Sequence, residues 1–320
     1  MAFQRVGILS IGEMGYHWAR LLAAHGVEVL TCSEGRSEVS RKRADNAGVK
    51  SLPSMIRLVS EAELIVSIVV PFAAKKVAAQ VAKALIKVGR KDFLFADVNA
   101  ISTMTATDIG RKLSRARASF VDGCIIGSAV KLDRGAVIYL SGPRAKEVQA
   151  LGESGFSVRV LGDEIAQASA FKIVYAGLTK GLQGLFVELL VGAKKFGLLE
   201  EILQRYDESF PGLAEQVGRS ISSLPIHAGR RAEEMVELRQ TFRHQGLKAV
   251  VTPSVEKILR EMAFLRAGKA SETGARGGTF VDTIELFFQK GLLQAQASRE
   301  TLSKSANSDS NVETNIGRRE

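Results

Sequence analysis

The sequence predicts an α/β protein, a doubly wound parallel sheet followed by an all-helical domain. Three observations predict this. Residues 5–15 read as an apolar strand, a glycine turn and a helix start. Apolar runs and amphipathic runs then alternate to about residue 160. From Gly162 onward only helical periodicity remains. Alternation of this kind is the pattern of strands joined by crossover helices. The boundaries follow: 1–161 for the sheet domain, 162–297 for the helical domain, and 298–320, rich in Ser and Asn, for a disordered tail.

The first strand is predicted at Val6–Ile11, and the helix behind it runs through Tyr16 to Ala24, closing at His25-Gly26. A second strand, Val27–Cys32, follows at once. Strand, glycine turn, helix and strand in that order form a dinucleotide-binding βαβ unit of the Rossmann type. In Ser10-Ile11-Gly12-Glu13-Met14-Gly15 the glycines bring backbone close to a pyrophosphate, and the helix N-terminus offers free N–H groups to it. Ser10 stands where the fingerprint has its first glycine. Further strands are predicted at Leu64–Val70, Phe93–Asp97, Ser119–Asp122, Val137–Leu140 and Phe156–Leu161, with helices at Ala73–Val88 and Ser102–Ser114.

In the second half, Asp163-Glu164 favour a helix start and Lys194-Lys195 before Gly197 a helix end. Unbroken from Asp163 to Phe196, that helix bridges two domains or two subunits. Its Gly177, Gly181 and Gly184 line one side, and Leu185, Phe186 and Leu189 need covering, so a homodimer sharing the helical domain is expected. Helices also follow at Leu199–Tyr206, Leu213–Leu224, Arg231–His244, Thr252–Arg266 and Thr279–Gln296, with a loop at Ala267–Gly278.

The chain has 320 residues, 46% of them hydrophobic, which is enough for two domains with a core. The apolar stretch Leu64–Ala74 is interrupted by Pro71 and is too short to span a bilayer, so no membrane association is expected. No secretory signal is expected at the N-terminus. Cys32 and Cys124 form neither a disulfide framework nor a metal spacing, and a cytoplasmic location and no metal are expected. The net charge of +10 comes from scattered Lys and Arg without a nucleic-acid motif. It is read as a solvated basic surface, not as a nucleic-acid site.

Ligands of such a sheet lie outside the C-terminal strand ends. After the second strand, Ser33, Arg36 and Ser37 suit a 2′-phosphate, whereas Glu34 suits the 2′-hydroxyl of NAD; NADP(H) is preferred, with NAD(H) as the alternative. Val70, Pro71 and Asn99 end two later strands and are assigned to the cofactor. Ser102 is read first as a helix N-cap. Gly123, Gly127 and Ser128 after the next strand offer backbone N–H groups and a hydroxyl to a substrate carboxylate, or form a plain glycine loop. In the long helix Lys172, Tyr175 and Thr179 share a face opposite the glycine stripe, and Tyr175 and Thr179 are assigned to the substrate. An amine in a partly desolvated cleft is suited to general acid–base work. His227, Arg230 and Arg231 read as a solvated basic helix start, with contact to an anionic substrate as the other reading.

Taken together, these motifs resemble the β-hydroxyacid dehydrogenase superfamily, which includes 3-hydroxyisobutyrate and 6-phosphogluconate dehydrogenases. The resemblance covers about residues 5–290. Gly12-Glu13-Met14-Gly15 matches the superfamily's G-x-M-G turn. Asp122 to Ser128 matches its substrate segment D-x-P-V-S-G-G, with Ile126 in place of the substrate-binding Ser and Ser128 in place of the second Gly. Lys172 falls on the Lys of its catalytic K-x-x-N-N or K-x-x-H-N, with Tyr175 and Ala176 in place of the polar pair. The resemblance implies Lys172 as catalytic base and a small anionic 3-hydroxy acid as substrate, in a little-characterised branch. Two alternatives stand beside it: an NADPH-dependent imine reductase, which keeps the fold and changes the catalytic residue, and a sensor of NADP(H) without catalysis.

Overall fold

The computed structural model describes residues 3–267 and 279–294. The predicted loop at Ala267–Gly278 falls, after Ala267, outside the described residues, as does the predicted tail. Contacts divide the chain into two compact units, residues 1–175 and 176–320.

The first unit is an eight-stranded sheet. Its elements in chain order are β1 (Arg5–Leu9), α1 (Glu13–Ala24), β2 (Glu28–Cys32), α2 (Glu38–Asn46), β3 (Lys50–Leu52), α3 (Met55–Glu61), β4 (Leu64–Ser67), α4 (Ala74–Val88), β5 (Phe93–Asp97), α5 (Thr103–Arg115), β6 (Ala118–Ile126), β7 (Val137–Ser141), α6 (Ala145–Gln149) and β8 (Ser157–Gly162). The strands lie in the order β3-β2-β1-β4-β5-β6-β7-β8. All neighbours are parallel except β6 and β7, which pair antiparallel. The chain reverses its direction of travel across the sheet between β3 and β4, so the crevice outside β1 and β4 is the switch point where such sheets bind ligands.

Apolar runs become strands buried on both faces because successive side chains alternate. In β1, Val6 and Ile8 face one core with Trp18 of α1, while Leu9 faces the other with Leu58 and Leu85. In β5, Leu94 and Ala96 join the first core, Phe93 and Phe95 the second. Trp18, the sole tryptophan, is fully buried with its ring 4.6 Å from that of Phe156.

Three elements between residues 34 and 63 go beyond the sequence reading: α2, β3 and α3. The strand β6 starts at Ala118 and extends to Ile126, past the predicted Asp122. The long helix α7 runs Gln167–Lys195 and not from Asp163 to Phe196. The reason is local: residues 163–166 form a turn in which Ala166 has φ of 79°. The division at 175/176 lies beyond the predicted 161/162 because the first turns of α7 are hydrogen-bonded to the sheet.

The second unit holds the rest of α7 with α8 (Leu199–Ser209), α9 (Leu213–Ile221), α10 (Leu224–His244), α11 (Thr252–Ala267) and α12 (Phe280–Gln289). No strand occurs in it among the described residues. A Cβ at Gly177 would lie 2.6 Å from Leu238 of α10, and one at Gly184 3.4 Å from Val255 of α11. Gly177 and Gly184 therefore pack inside the chain, whereas a Cβ at Gly181 would meet nothing. Among the described residues α7 alone is long and apolar enough to cross a membrane by length and composition. Its first turns, however, are bonded to the Rossmann sheet.

Phe95→Ala should lower the unfolding free energy of the first unit by about 3–5 kcal/mol, because it empties a fully buried site beside Phe120. Urea unfolding followed by Trp18 fluorescence measures it.

Candidate active site

The cofactor edge begins where β1 ends. Gly12 is the N-cap of α1 and has no side chain to cap the helix, so its first-turn N–H groups stay available. A Cβ at Gly15 would lie 2.1 Å from the Ser10 carbonyl oxygen, whereas one at Gly12 would meet no protein atom. Gly15 thus lets α1 close on the turn, and Gly12 leaves open the space in front of the helix N-terminus. Glu13 is exposed there, and Met14 packs against the core. Ser10 does not have a positive φ, so its Cβ is accommodated where the fingerprint has glycine.

Beyond β2 lies a cleft lined by Ile11, Ser33, Arg36, Ser40 and Arg41 among others. Ser40 and Arg41, on α2, go beyond the sequence reading; their signal is a basic residue one turn behind the Ser37 cap. Ser37 serves the helix itself, since its hydroxyl oxygen accepts from Ser40 N–H at 3.3 Å and caps α2. The Ser33 hydroxyl donates to the Leu52 carbonyl at 3.2 Å. Glu34 is exposed and does not line the cleft.

Val70 and Pro71 are exposed beyond β4. Asn99 differs from its assignment to the cofactor. It is buried, its amide nitrogen donates to Ser67 Oγ at 3.1 Å and Asp97 Oδ2 at 2.8 Å, and its oxygen accepts from Val69 N–H at 2.7 Å. These bonds commit its amide group to shaping the loop that carries Val70. Ser102 caps α5, accepting from Thr105 N–H at 3.3 Å.

Lys172 and the end of β6 come together. The Lys172 ammonium donates to the Ile125 carbonyl at 2.7 Å. Asp122, three residues before Ile125, accepts from Ser169 N–H at 2.8 Å and Ser169 Oγ–H at 2.7 Å. Tyr139 of β7 packs its ring 4.3 Å from Phe171. Gly127 has φ of 137°, and a Cβ there would lie 2.6 Å from Ala136, so only glycine fits this turn. Ser128 follows it and is exposed. Gly123 differs from its substrate assignment: it sits buried inside β6, where a Cβ would press on Val98 and Leu140. Tyr175 is exposed one turn beyond Lys172. Thr179 belongs to the second unit, and its hydroxyl donates to the Ala176 carbonyl at 2.9 Å. Arg231 in that unit is buried, not solvated, and donates to Gln183, Ser223 and the Ser220 carbonyl.

Burial dominates the electrostatics of this edge. Asp97 and Asp122 are partners in register on β5 and β6. Burial pushes the Asp97 carboxyl up to about 7, and nearby Asp122 adds to the rise. Burial likewise holds Asp122 up at about 6 against the hydrogen bonds from Ser169 and Ser141. The Cys124 thiol is pushed up to about 12 by burial, opposed by the Lys172 charge, which makes it a packing group and not a nucleophile. No cluster of His, Cys, Asp or Glu fit for a metal exists among the described residues.

This arrangement defines a dinucleotide-binding Rossmann domain with an amine at the end of β6. Residues 5–154 match the NAD-binding domain of 6-phosphogluconate dehydrogenase, and residues 193–262 match a domain of unknown function (DUF1932). The first domain belongs to the 6-phosphogluconate dehydrogenase NAD-binding family, and the chain has the fold of the β-hydroxyacid dehydrogenases. An uncharacterised 28.5 kDa protein of Methanothermus fervidus is 29% identical over 262 residues, covering 81% of this chain and 98% of that protein. A solved conserved protein of unknown function, described as structurally similar to 3-hydroxyacid dehydrogenases, is 29% identical, with a TM-score of 0.70 over 83% of this chain and 100% of that one. The 3-hydroxyisobutyrate dehydrogenase of Mycobacterium tuberculosis, solved with L-serine, has a TM-score of 0.69 at 14% identity over 88% of this chain and 98% of its own. That last likeness is one of fold.

The cofactor this family implies fits the chain: open space at Gly12, an uncapped helix start and a basic cleft beyond β2 stand at one sheet edge. The raised Asp97 pKa has a stability consequence. Its folded value of about 7 exceeds the ordinary 3.8, so its contribution is fully present below about pH 4 and is lost as pH rises through 7. Asp97→Asn, which stays neutral, should therefore gain melting temperature relative to wild type between pH 5 and pH 8. Calorimetry across that range tests this, and a difference independent of pH contradicts it.

Proposed function

We propose that this protein is an NAD(P)-dependent oxidoreductase that interconverts a small 3-hydroxy acid and its carbonyl compound. The observation that carries the reading is the Lys172 amine, held 2.7 Å from the Ile125 carbonyl at the same sheet edge as the Gly12–Gly15 turn. A bound nicotinamide supplies the hydride acceptor. In the oxidative direction Lys172 takes the substrate hydroxyl proton, and in the reductive direction it returns it. The Ile125 carbonyl anchors the amine through one hydrogen bond. Exposed Ser128 and the backbone at Gly127 hold the anionic substrate's carboxylate.

The cofactor reading is NADP(H), supported by Arg36 and Arg41 in a cleft that, among the described residues, no carboxylate lines. Arg41 replaces Ser37 in this role. A homodimer is supported by Leu185 and Leu189, which are exposed along α7, although Phe186 is buried within the chain. The free thiols Cys32 and Cys124 suit a reducing cytoplasm.

Hydroxy acids, semialdehydes and cyclic imines, screened by nicotinamide absorbance with wild type and Lys172→Ala in parallel, test the chemistry. The expected result is a hydroxy acid turned over by wild type, with Lys172→Ala slower by about 10²-fold or more. Full activity in Lys172→Ala removes the mechanism. Turnover of imines alone supports the imine reductase reading, and tight NADPH binding without turnover supports the sensor. Arg41→Ala should weaken NADPH binding by about tenfold or more and leave NADH binding unchanged in fluorescence titrations, because it removes a charge-assisted phosphate contact. Light scattering should give twice the 34.5 kDa chain mass.

A further inference from the structure

The pairing of β6 with the start of α7 has a repeat in it. On the strand, Asp122 and Ile125 are three residues apart. On the helix, Ser169 and Lys172 are three residues apart. Asp122 receives both the backbone N–H and the hydroxyl of Ser169, and Ile125 receives the Lys172 ammonium. Ser141 of β7 completes the first tether: its hydroxyl donates to Asp122 at 3.4 Å while its oxygen accepts from Ala168 N–H at 3.0 Å. The carboxylate thus satisfies, directly and through Ser141, two of the amides that a helix start leaves without intrahelical partners.

We propose that Asp122 is the positioning residue for Lys172, holding the first turn of α7 on β6 so that the amine is delivered to the Ile125 carbonyl. The proposal rests on the reading of Lys172 as the acid–base group, but the clamp itself is a statement about geometry. Asp122 is wholly buried, and its two oxygens accept from Ser141 and twice from Ser169, neither of which carries a charge. A carboxylate buried at this cost and held by neutral donors orders Ser141, Ser169 and, one helical turn on, Lys172. Phe171 against Tyr139 limits rotation of the same turn.

The titratable groups around Asp122 are Asp97 on β5, Cys124 on β6 and Lys172 on α7. Asp97 and Asp122 disfavour each other's ionisation, Cys124 stays protonated, and Asp122 ionises as pH rises through about 6. Ionised, it accepts from Ser169 and Ser141 at full strength. Protonated, it loses acceptor capacity, and the clamp weakens on the acid side.

Two readouts on the full chain test the clamp without a known substrate. One is the acetylation rate of Lys172 by acetic anhydride, read by peptide mass spectrometry against exposed Lys42 as internal reference. The other is hydrogen exchange of the peptide at residues 166–175. Asp122→Ala should raise the normalised Lys172 rate about three- to tenfold, the factor of one lost hydrogen bond, and speed exchange in that peptide. Ser169→Ala should move both in the same direction by less. Asp122→Asn, which keeps an acceptor for Ser169, should fall between Asp122→Ala and wild type. If Asp122→Ala does not fold, the other two variants decide. Unchanged Lys172 labelling and unchanged exchange in folded variants overturn the proposal.

Kinetics separate the clamp from the function. With a substrate in hand, Asp122→Asn should lower kcat by about tenfold with an unaltered NADPH dissociation constant, because a displaced acid–base group costs rate and not cofactor binding. Increased Lys172 labelling with full activity in Lys172→Ala keeps the clamp and overturns the role of Lys172 in chemistry. Unchanged labelling with an inactive Lys172→Ala does the reverse.

Discussion

The hydrogen bonds between Ser169 and Asp122 are the constraint on which the rest of the candidate site depends. They join residues 47 apart in sequence and fix where α7 starts. Without them, only the Ala168–Ser141 and Lys172–Ile125 hydrogen bonds would tie helix to sheet in a fixed direction, since apolar contacts are non-directional. A directional tether at the helix start fixes the position of the next turn, and Lys172 lies on that turn. The cost is a carboxylate buried beside Asp97, with both groups driven towards their neutral forms. Such cost at a strand end facing the ligand crevice is typical of functional sites.

At the other end of the crevice the constraint is steric. Gly15 is required because the turn's own carbonyl occupies the place of a side chain, and Gly12 because the space ahead of the helix has to remain open. The two positions thus meet different requirements with the same residue. Parallel pairing of β1, β4, β5 and β6 brings both ends of the crevice to one edge. Asn99 and Ser67 hold the loop between them without facing it. The fold's contribution to the proposed chemistry is this common edge, which carries both the Gly12–Gly15 turn and the Lys172 amine.

Much of the architecture was legible in the sequence. The glycine turn, the alternation of strands and helices and the cap at Ser102 mark local events, set by a few neighbouring residues. The start of α7 was legible only in part: the helix begins later than Asp163-Glu164 suggest, since a turn at Ala166 aims it at the sheet. The region between β2 and β4 was illegible for a different reason. The helix α2 buries only Ala44, and β3 has three residues, so neither presents a periodic apolar face. Antiparallel pairing of β7 was invisible because alternation does not encode strand direction. Site residues divided in the same way. Lys172 was singled out as a candidate by its apolar neighbours, Phe171, Ile173 and Val174. The roles of Asp122, Asn99, Gly123 and Ser37 rest on contacts or capping geometry that only the folded chain displays, and Arg41 became visible only once α2 was.

On the proposed function a nicotinamide dinucleotide lies along the turn at Gly12 and the cleft beyond β2. Hydrogen exchange by mass spectrometry with and without NADPH measures this directly, before any substrate is known. Slowed exchange is expected in the peptides spanning residues 10–16 and 33–41, with little change in β7 and β8. No protection at either of those segments at saturating NADPH, or protection confined to the helical unit, would contradict it.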